Sequence, residues 1–117
     1  MTTNLDQPRI LPLTTQDGCT IHATLYPAAR PARAHLVVAG ATAVPQGYYR
    51  RFAEYASARG YHTMTLDYRG IGLSAPPTLK GFRMNYLDWA RQDLAAAVQA
   101  MAHPDLPLVM VGHSYGG

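Results

Sequence analysis

The chain opens with two strand-like stretches, Arg9–Thr14 and Thr20–Tyr26, on either side of the turn-forming triplet Gln16-Asp17-Gly18. Short strands joined through a tight turn that contains glycine predict an antiparallel hairpin. Next comes His35-Leu36-Val37-Val38-Ala39, an apolar run stopped by Gly40. Such a run, with no polar alternation, marks a strand covered on both faces. From Pro45 the spacing changes: Tyr48, Phe52, Tyr55, Ala56 and Arg59 recur at helical intervals, and Gly60 stands where such a helix would end. Residues 61–66 read as a further strand.

A glycine- and proline-rich connection fills 67–77, after which Asn85 can cap a second helix. Its inward face should carry Leu87, Ala90, Leu94, Val98 and Met101, and the helix should run out before Pro104. Residues 106–111 form the last expected strand. Strands connected through helices make right-handed crossovers, so the expected fold class is α/β. The sheet should be mostly parallel and twisted, with an N-terminal antiparallel hairpin and helices on both faces. Nothing repeats along 1–117 and no tract is of low complexity, which leaves one domain as the expectation.

A hydrophobic fraction of 48% fits a globular domain. The net charge of +3 comes mainly from arginines that are dispersed or paired as Arg50-Arg51, and it gives no basic block for a nucleic acid. Cys19 is the single cysteine, so no internal disulfide can form; a reducing compartment and a small-hydrophobe role for Cys19 are expected. The N-terminal stretch lacks the basic start and apolar centre of a leader, and no apolar run reaches the ~20 residues of a membrane span. A cytoplasmic protein without membrane contact is the resulting expectation. His22, His35, His62 and His103 show no i,i+4 pair, so neither a metal nor a cofactor is expected. Tyr48, Phe52, Tyr55 and Trp89 read as core or core-edge residues.

Three stretches carry chemistry. Gly112-His113-Ser114-Tyr115-Gly116, with Gly117 behind it, fits G-x-S-x-G directly after an apolar strand. A serine on a sharp strand-to-helix turn needs glycines on both sides, because the chain approaches too closely for a side chain there. Asp67-Tyr68-Arg69-Gly70-Ile71-Gly72-Leu73-Ser74 fits D-x-R-G-x-G-x-S, and Val37-Val38-Ala39-Gly40-Ala41-Thr42 is a strand entering a glycine turn. In this order, over nearly the whole chain, the stretches resemble the α/β-hydrolase family, and more narrowly its serine-hydrolase and esterase branch.

The resemblance implies roles residue by residue. Ser114 matches the nucleophile that forms an acyl intermediate. The backbone N–H of Tyr115 matches one oxyanion donor, and Ala41, with Thr42 next in line, matches the second. Gly40, Gly112, Gly116 and Gly117 match positions kept free of side chains, and Asp67 and Arg69 match residues that order the loop after the fourth strand. Many members carry histidine before the glycine of the first turn, where this chain has Ala39. His113, adjacent to Ser114 on a tight turn, should point away from it and not act as the base. Serine, acid and histidine follow one another along the chain in this family, so the acid and the histidine belong beyond Gly117. The expectation is an incomplete α/β-hydrolase fold, the N-terminal part of one domain, whose parent acts on a small-molecule acyl substrate. On its own this stretch should be inactive and prone to self-association. A non-catalytic interaction module, or one piece of a split chain, is the alternative.

Overall fold

The computed structural model describes residues 7–29, 31–41, 44–75 and 86–113. Its strands are β1 (Arg9–Thr14), β2 (Thr20–Tyr26), β3 (Ala34–Ala39), β4 (Tyr61–Asp67) and β5 (Leu108–Gly112). A 3-10 turn at Gln46–Tyr49 leads into α1 (Arg50–Ala58). The second helix begins as α2 (Tyr86–Asp88), widens to a π-helical stretch at Trp89–Leu94 and continues without a break as α3 (Ala95–Met101).

The sheet has the order β1-β2-β4-β3-β5. β1 pairs antiparallel with β2, and β2 antiparallel with β4. β4, β3 and β5 run parallel. The result is a mixed sheet, a parallel half carrying the hairpin at one side. β3 lies between β4 and β5 and is covered on both faces, as its unbroken apolar run predicts. Val37 packs on one face with Ile21, Met64, Trp89, Ala97 and Met101, whereas Leu36 and Val38 pack on the other with Tyr49 and Ala56. Burying a side chain such as Ile21 or Met64 contributes about 1.5–3 kcal/mol each.

Both helices bury only part of the face the sequence pattern selects: Ala56, Leu94 and Met101 pack inward as expected, and the other positions are offset. Tyr48, Phe52 and Tyr55 are exposed, at 71%, 41% and 57%, while Tyr49, Ala53 and Ala56 face inward. The apolar stripe that spacing selects is thus offset from the true inner face, because α1 approaches the sheet through small residues. In the second helix the buried positions are Trp89, Asp93, Ala97 and Met101; Leu87 is 49% exposed and Ala90 also faces out. A buried aspartate at the centre of this face hides it from a reading based on apolar residues alone. β5 begins at Leu108, two residues later than the pattern suggests, and Leu106 instead bridges to His103.

Among the described residues β5 is an edge strand, and its Leu108, Val109 and Met110 are 36%, 40% and 46% exposed. Exposed apolar edges of this kind invite pairing.

The parallel register sets His35 opposite His62, with ring centroids 5.1 Å apart, and His103 stacks on His35 at 5.9 Å. Sequence spacing could not reveal this group, since its members meet only through strand pairing. His35 Nδ1 is buried without a hydrogen-bond partner. Burial, and then the neighbouring His62 and His103, hold the His35 pKa below its ordinary value. Asp105 lies 3.8 Å from His103 Nδ1. With a depressed folded pKa, the unfolded chain takes up a proton near pH 6.5 that the folded chain resists. This contribution is therefore present above that pH and is lost below it. Urea midpoints of the intact protein should fall as pH drops from about 7 to about 5.5, and His35→Phe should flatten part of that fall. An identical pH dependence in the variant would contradict the assignment.

Candidate active site

The C-terminal ends of the parallel strands bring together Ala39-Gly40-Ala41, Asp67 and Gly112-His113. The chain steps from β3 to β4 on one side and then returns to place β5 on the other side of β3. Crevices outside the carboxyl ends of strands, at such reversals, are where open α/β sheets bind ligands. His113 N–H donates to Ala39 O at 3.0 Å, so the β3–β5 ladder continues to the residue before Ser114. Ser114, Tyr115, Gly116, Gly117 and Thr42 lie outside the described residues.

The D-x-R-G-x-G-x-S stretch folds into a clamp after β4. The buried Asp67 carboxylate accepts from Gln46 N–H at 2.7 Å, Gln46 Nε2 at 3.0 Å and Leu73 N–H at 3.0 Å. Gly72 is required twice over. Its φ is +51°, and a Cβ there would lie 2.7 Å from Asp67 Oδ2. Ser74 Oγ donates to Asp67 O at 2.6 Å and accepts from His22 N–H at 2.8 Å, which ties the loop to the hairpin.

Arg69 turns the other way, into the interior. Its Nε and Nη2 donate to Asp93 Oδ1 at 2.9 and 2.7 Å, and its backbone N–H donates to Asp93 Oδ2 at 2.7 Å. Nη1 reaches Asp17 Oδ2 at 2.8 Å, and Trp89 Nε1 donates to Arg69 O at 3.1 Å. Hydrogen bonds to Asp17 and then to Asp93 raise the Arg69 pKa against the opposing effect of burial. The same contacts, Arg69 first and Thr15 second, hold the Asp17 carboxyl far below the usual carboxylate range. Trp89 and Asp93 both lie in the π-helical stretch, a widened turn of the kind often found at functional sites.

On the opposite face Tyr49 joins the loop after β3 to the end of β5. Its hydroxyl accepts from Ala41 N–H at 2.7 Å and lies 3.0 Å from His113 Nδ1. The ring stands over Gly40, where a Cβ would come within 2.8 Å of Tyr49 Cε2. From the other side of the sheet Tyr68 Oη donates to Gly40 O at 3.3 Å. Two tyrosine hydroxyls thus hold the turn Gly40-Ala41 that follows Ala39 at the end of β3. Beside Tyr49 a cavity of about 290 Å³ is bounded by Tyr48, Phe52, Val111 and His113.

A family model described as serine aminopeptidase, S33, matches residues 30–117. The chain belongs to this S33 family of α/β-hydrolases. Solved structures agree with the fold. One described as DcsB in complex with a substrate analogue superposes with a TM-score of 0.75 at 22% identity, covering 94% of this chain and 38% of that one. A carboxyl esterase from Bacillus coagulans gives 0.74 at 23%, with 93% and 37% covered. A soluble variant of the monoglyceride lipase from Saccharomyces cerevisiae gives 0.71 at 25%, with 99% and 36% covered. The chain therefore spans well under half the length of these neighbours, an incomplete form of their fold. No curated protein sequence matches it.

Within this α/β-hydrolase fold the structure brings Gly40, Ala41 and Gly112 to one crevice, with Asp67 and Arg69 anchoring the adjoining loop. Ala41 N–H, expected as an oxyanion donor, is already bonded to Tyr49. Sequence reasoning missed Tyr49, Gln46 and Asp93. Tyr49 could have been found as the partner of Tyr48 on the other helix face, whereas Asp93 carried no local signal. Among the described residues no group of histidine, cysteine and acid side chains is arranged to hold a metal ion. Breaking a buried ion pair from one side leaves an uncompensated charge, so Asp93→Asn should cost about 3 kcal/mol or more of stability. Asp17→Asn, at a carboxylate side chain 39% exposed, should cost markedly less. Urea denaturation of both variants of the intact protein checks the ranking, and equal losses would contradict it.

Proposed function

We infer that the protein containing this chain is a serine hydrolase that cleaves an ester, thioester or amide through an acyl-enzyme on Ser114. The observation that carries this reading is the β3–β5 ladder, which runs as far as His113, the residue that precedes the serine of G-x-S-x-G in the sequence. Family membership supports it, as do structural neighbours described as an esterase and a lipase. In this mechanism Ser114 Oγ bonds to the acyl carbon as a base takes its proton. The carbonyl π electrons move onto oxygen and are held by donors that include Tyr115 N–H. Collapse expels the leaving group, which receives the proton, and water then releases the acid by the same steps. The acid and base partners are proposed to follow Ser114 along the longer protein. Asp67 and Arg69 act as ordering residues and touch no substrate. A cytoplasmic location fits the single unpaired Cys19.

Residues 1–117 alone are proposed to be inactive, since loss of a triad histidine costs on the order of 10⁶-fold in turnover. The exposed edge of β5 favours their self-association.

Two outcomes check this reading. In the intact protein Ser114→Ala should abolish turnover of an activated ester together with labelling by a serine-directed phosphonate; full labelling of the variant would remove Ser114 from the role. Residues 1–117 expressed alone should elute from a sizing column as oligomers and bind a dye for exposed apolar surface. A compact monomer that hydrolyses the ester would contradict the second claim.

A further inference from the structure

The crevice occupies one end of the parallel strands, and a second cavity, of about 560 Å³, lies at the other, beside the amino-terminal ends of β3 and β4. The six residues of β3 set the two ends about 20 Å apart. Ala29, Pro31, Ala58 and Tyr61 form the walls of this second cavity, and Arg33 and Arg59 bring two positive charges to it. Among the described residues no carboxylate lines it, and neither arginine stands in an ion pair. Small-molecule sites fall in the same range of size, about 300–1,000 Å³, and likewise combine apolar walls with a few charged groups.

The cavity is framed by fixed backbone. Arg33 N–H donates to Gly60 O at 2.7 Å, Ala29 N–H to Ser57 O at 2.8 Å and Ala28 N–H to His62 Nδ1 at 3.0 Å. These bonds tie the connection between β2 and β3 to the end of α1 and the start of β4. The Arg33 stem crosses Gly60, where a Cβ would come within 3.0 Å of Arg33 Cγ. Arg59 is placed by stacking, its guanidinium carbon 3.6 Å from the centre of the Tyr55 ring. Stacking uses the face of the guanidinium and leaves the in-plane N–H donors available to an anion. The last carbonyls of α1, whose partial charge would oppose an anion, are already occupied: Ala56 O accepts from Arg59 N–H, and Ser57 O from Gly60 and Ala29 N–H.

We propose that this cavity binds a small organic phosphate, a monoester whose phosphate lies between Arg33 and Arg59 and whose organic part rests on the apolar wall. Two like charges that border one cavity repel each other, and an anion between them replaces that repulsion by two attractions. A carboxylate carries a single negative charge and is matched by one guanidinium fork. A phosphate monoester has three terminal oxygens and a charge of about −2, enough to engage both arginines. The proposal does not depend on the role of Ser114.

The test is calorimetric titration of the intact protein with phenyl phosphate and with benzoate, which share an apolar ring, at one fixed ionic strength. Phenyl phosphate should bind saturably and at least about tenfold more tightly than benzoate, and Arg33→Ala and Arg59→Ala should each weaken it by about tenfold or more, the effect of one charge-assisted hydrogen bond. Arg59→Lys, which keeps the charge and loses the planar fork, should fall between wild type and Arg59→Ala. No saturable binding, equal affinity for benzoate, or affinity unchanged in both alanine variants would overturn the proposal. Should either alanine variant fold poorly, hydrogen exchange in the wild-type protein gives a second readout. The Arg33 and Gly60 amides, bonded to Gly60 O and Ser57 O, should exchange more slowly with phenyl phosphate bound. Protection confined to the crevice at His113 would overturn the proposal.

Discussion

Arg69 carries a guanidinium to a place only 5% exposed, and Asp93, its partner, is wholly buried. Neither charge can enter a low-dielectric interior unpaired without a cost of several kcal/mol, so each makes the other's burial conditional. The pair also links elements far apart in sequence. Asp17 stands at the turn of the hairpin, Arg69 follows β4 and Asp93 lies in the second helix. The turn, the loop and the helix must therefore assemble together. Trp89, which stacks on Tyr68 with ring centroids 4.9 Å apart and donates to Arg69 O, closes the same region from the apolar side.

This anchorage reaches the crevice through Tyr68 and Asp67, the two residues before Arg69. Tyr68 Oη holds Gly40 O, and Asp67 holds the turn that delivers Tyr49 to Ala41 and His113. One short stretch of sequence thereby orders the loop after β3 from both faces of the sheet. The family's D-x-R-G-x-G-x-S signature can be understood in these terms. Its aspartate and serine are consumed in holding backbone and its arginine in ion pairs with Asp93 and Asp17, and Gly72 is required by the nearness of the Asp67 carboxylate.

Much of this was legible beforehand, and the exceptions share a cause. The hairpin, the doubly covered β3 and the second helix follow from local periodicity, which depends on neighbours a few residues away. The hydrolase motifs are short and contiguous, so they too can be read along the chain. Asp93 escaped because its burial depends on Arg69, 24 residues earlier, and nothing in its own window distinguishes it from a solvated aspartate. Tyr49 escaped because it sits beside Tyr48, and spacing alone chose the wrong member of the pair. The meeting of His35, His62 and His103 required the parallel register itself.

The central claim is that the loop after β4 is held as firmly as the core because a buried ion pair anchors it. Amide hydrogen exchange in the intact protein measures this directly. Arg69 N–H, bonded to Asp93, and Leu73 N–H, bonded to Asp67, should exchange as slowly as Val37 N–H in the doubly covered β3, through global unfolding. Exchange at Arg69 and Leu73 that is faster than at Val37 by orders of magnitude would show the loop opening on its own, and would contradict the account.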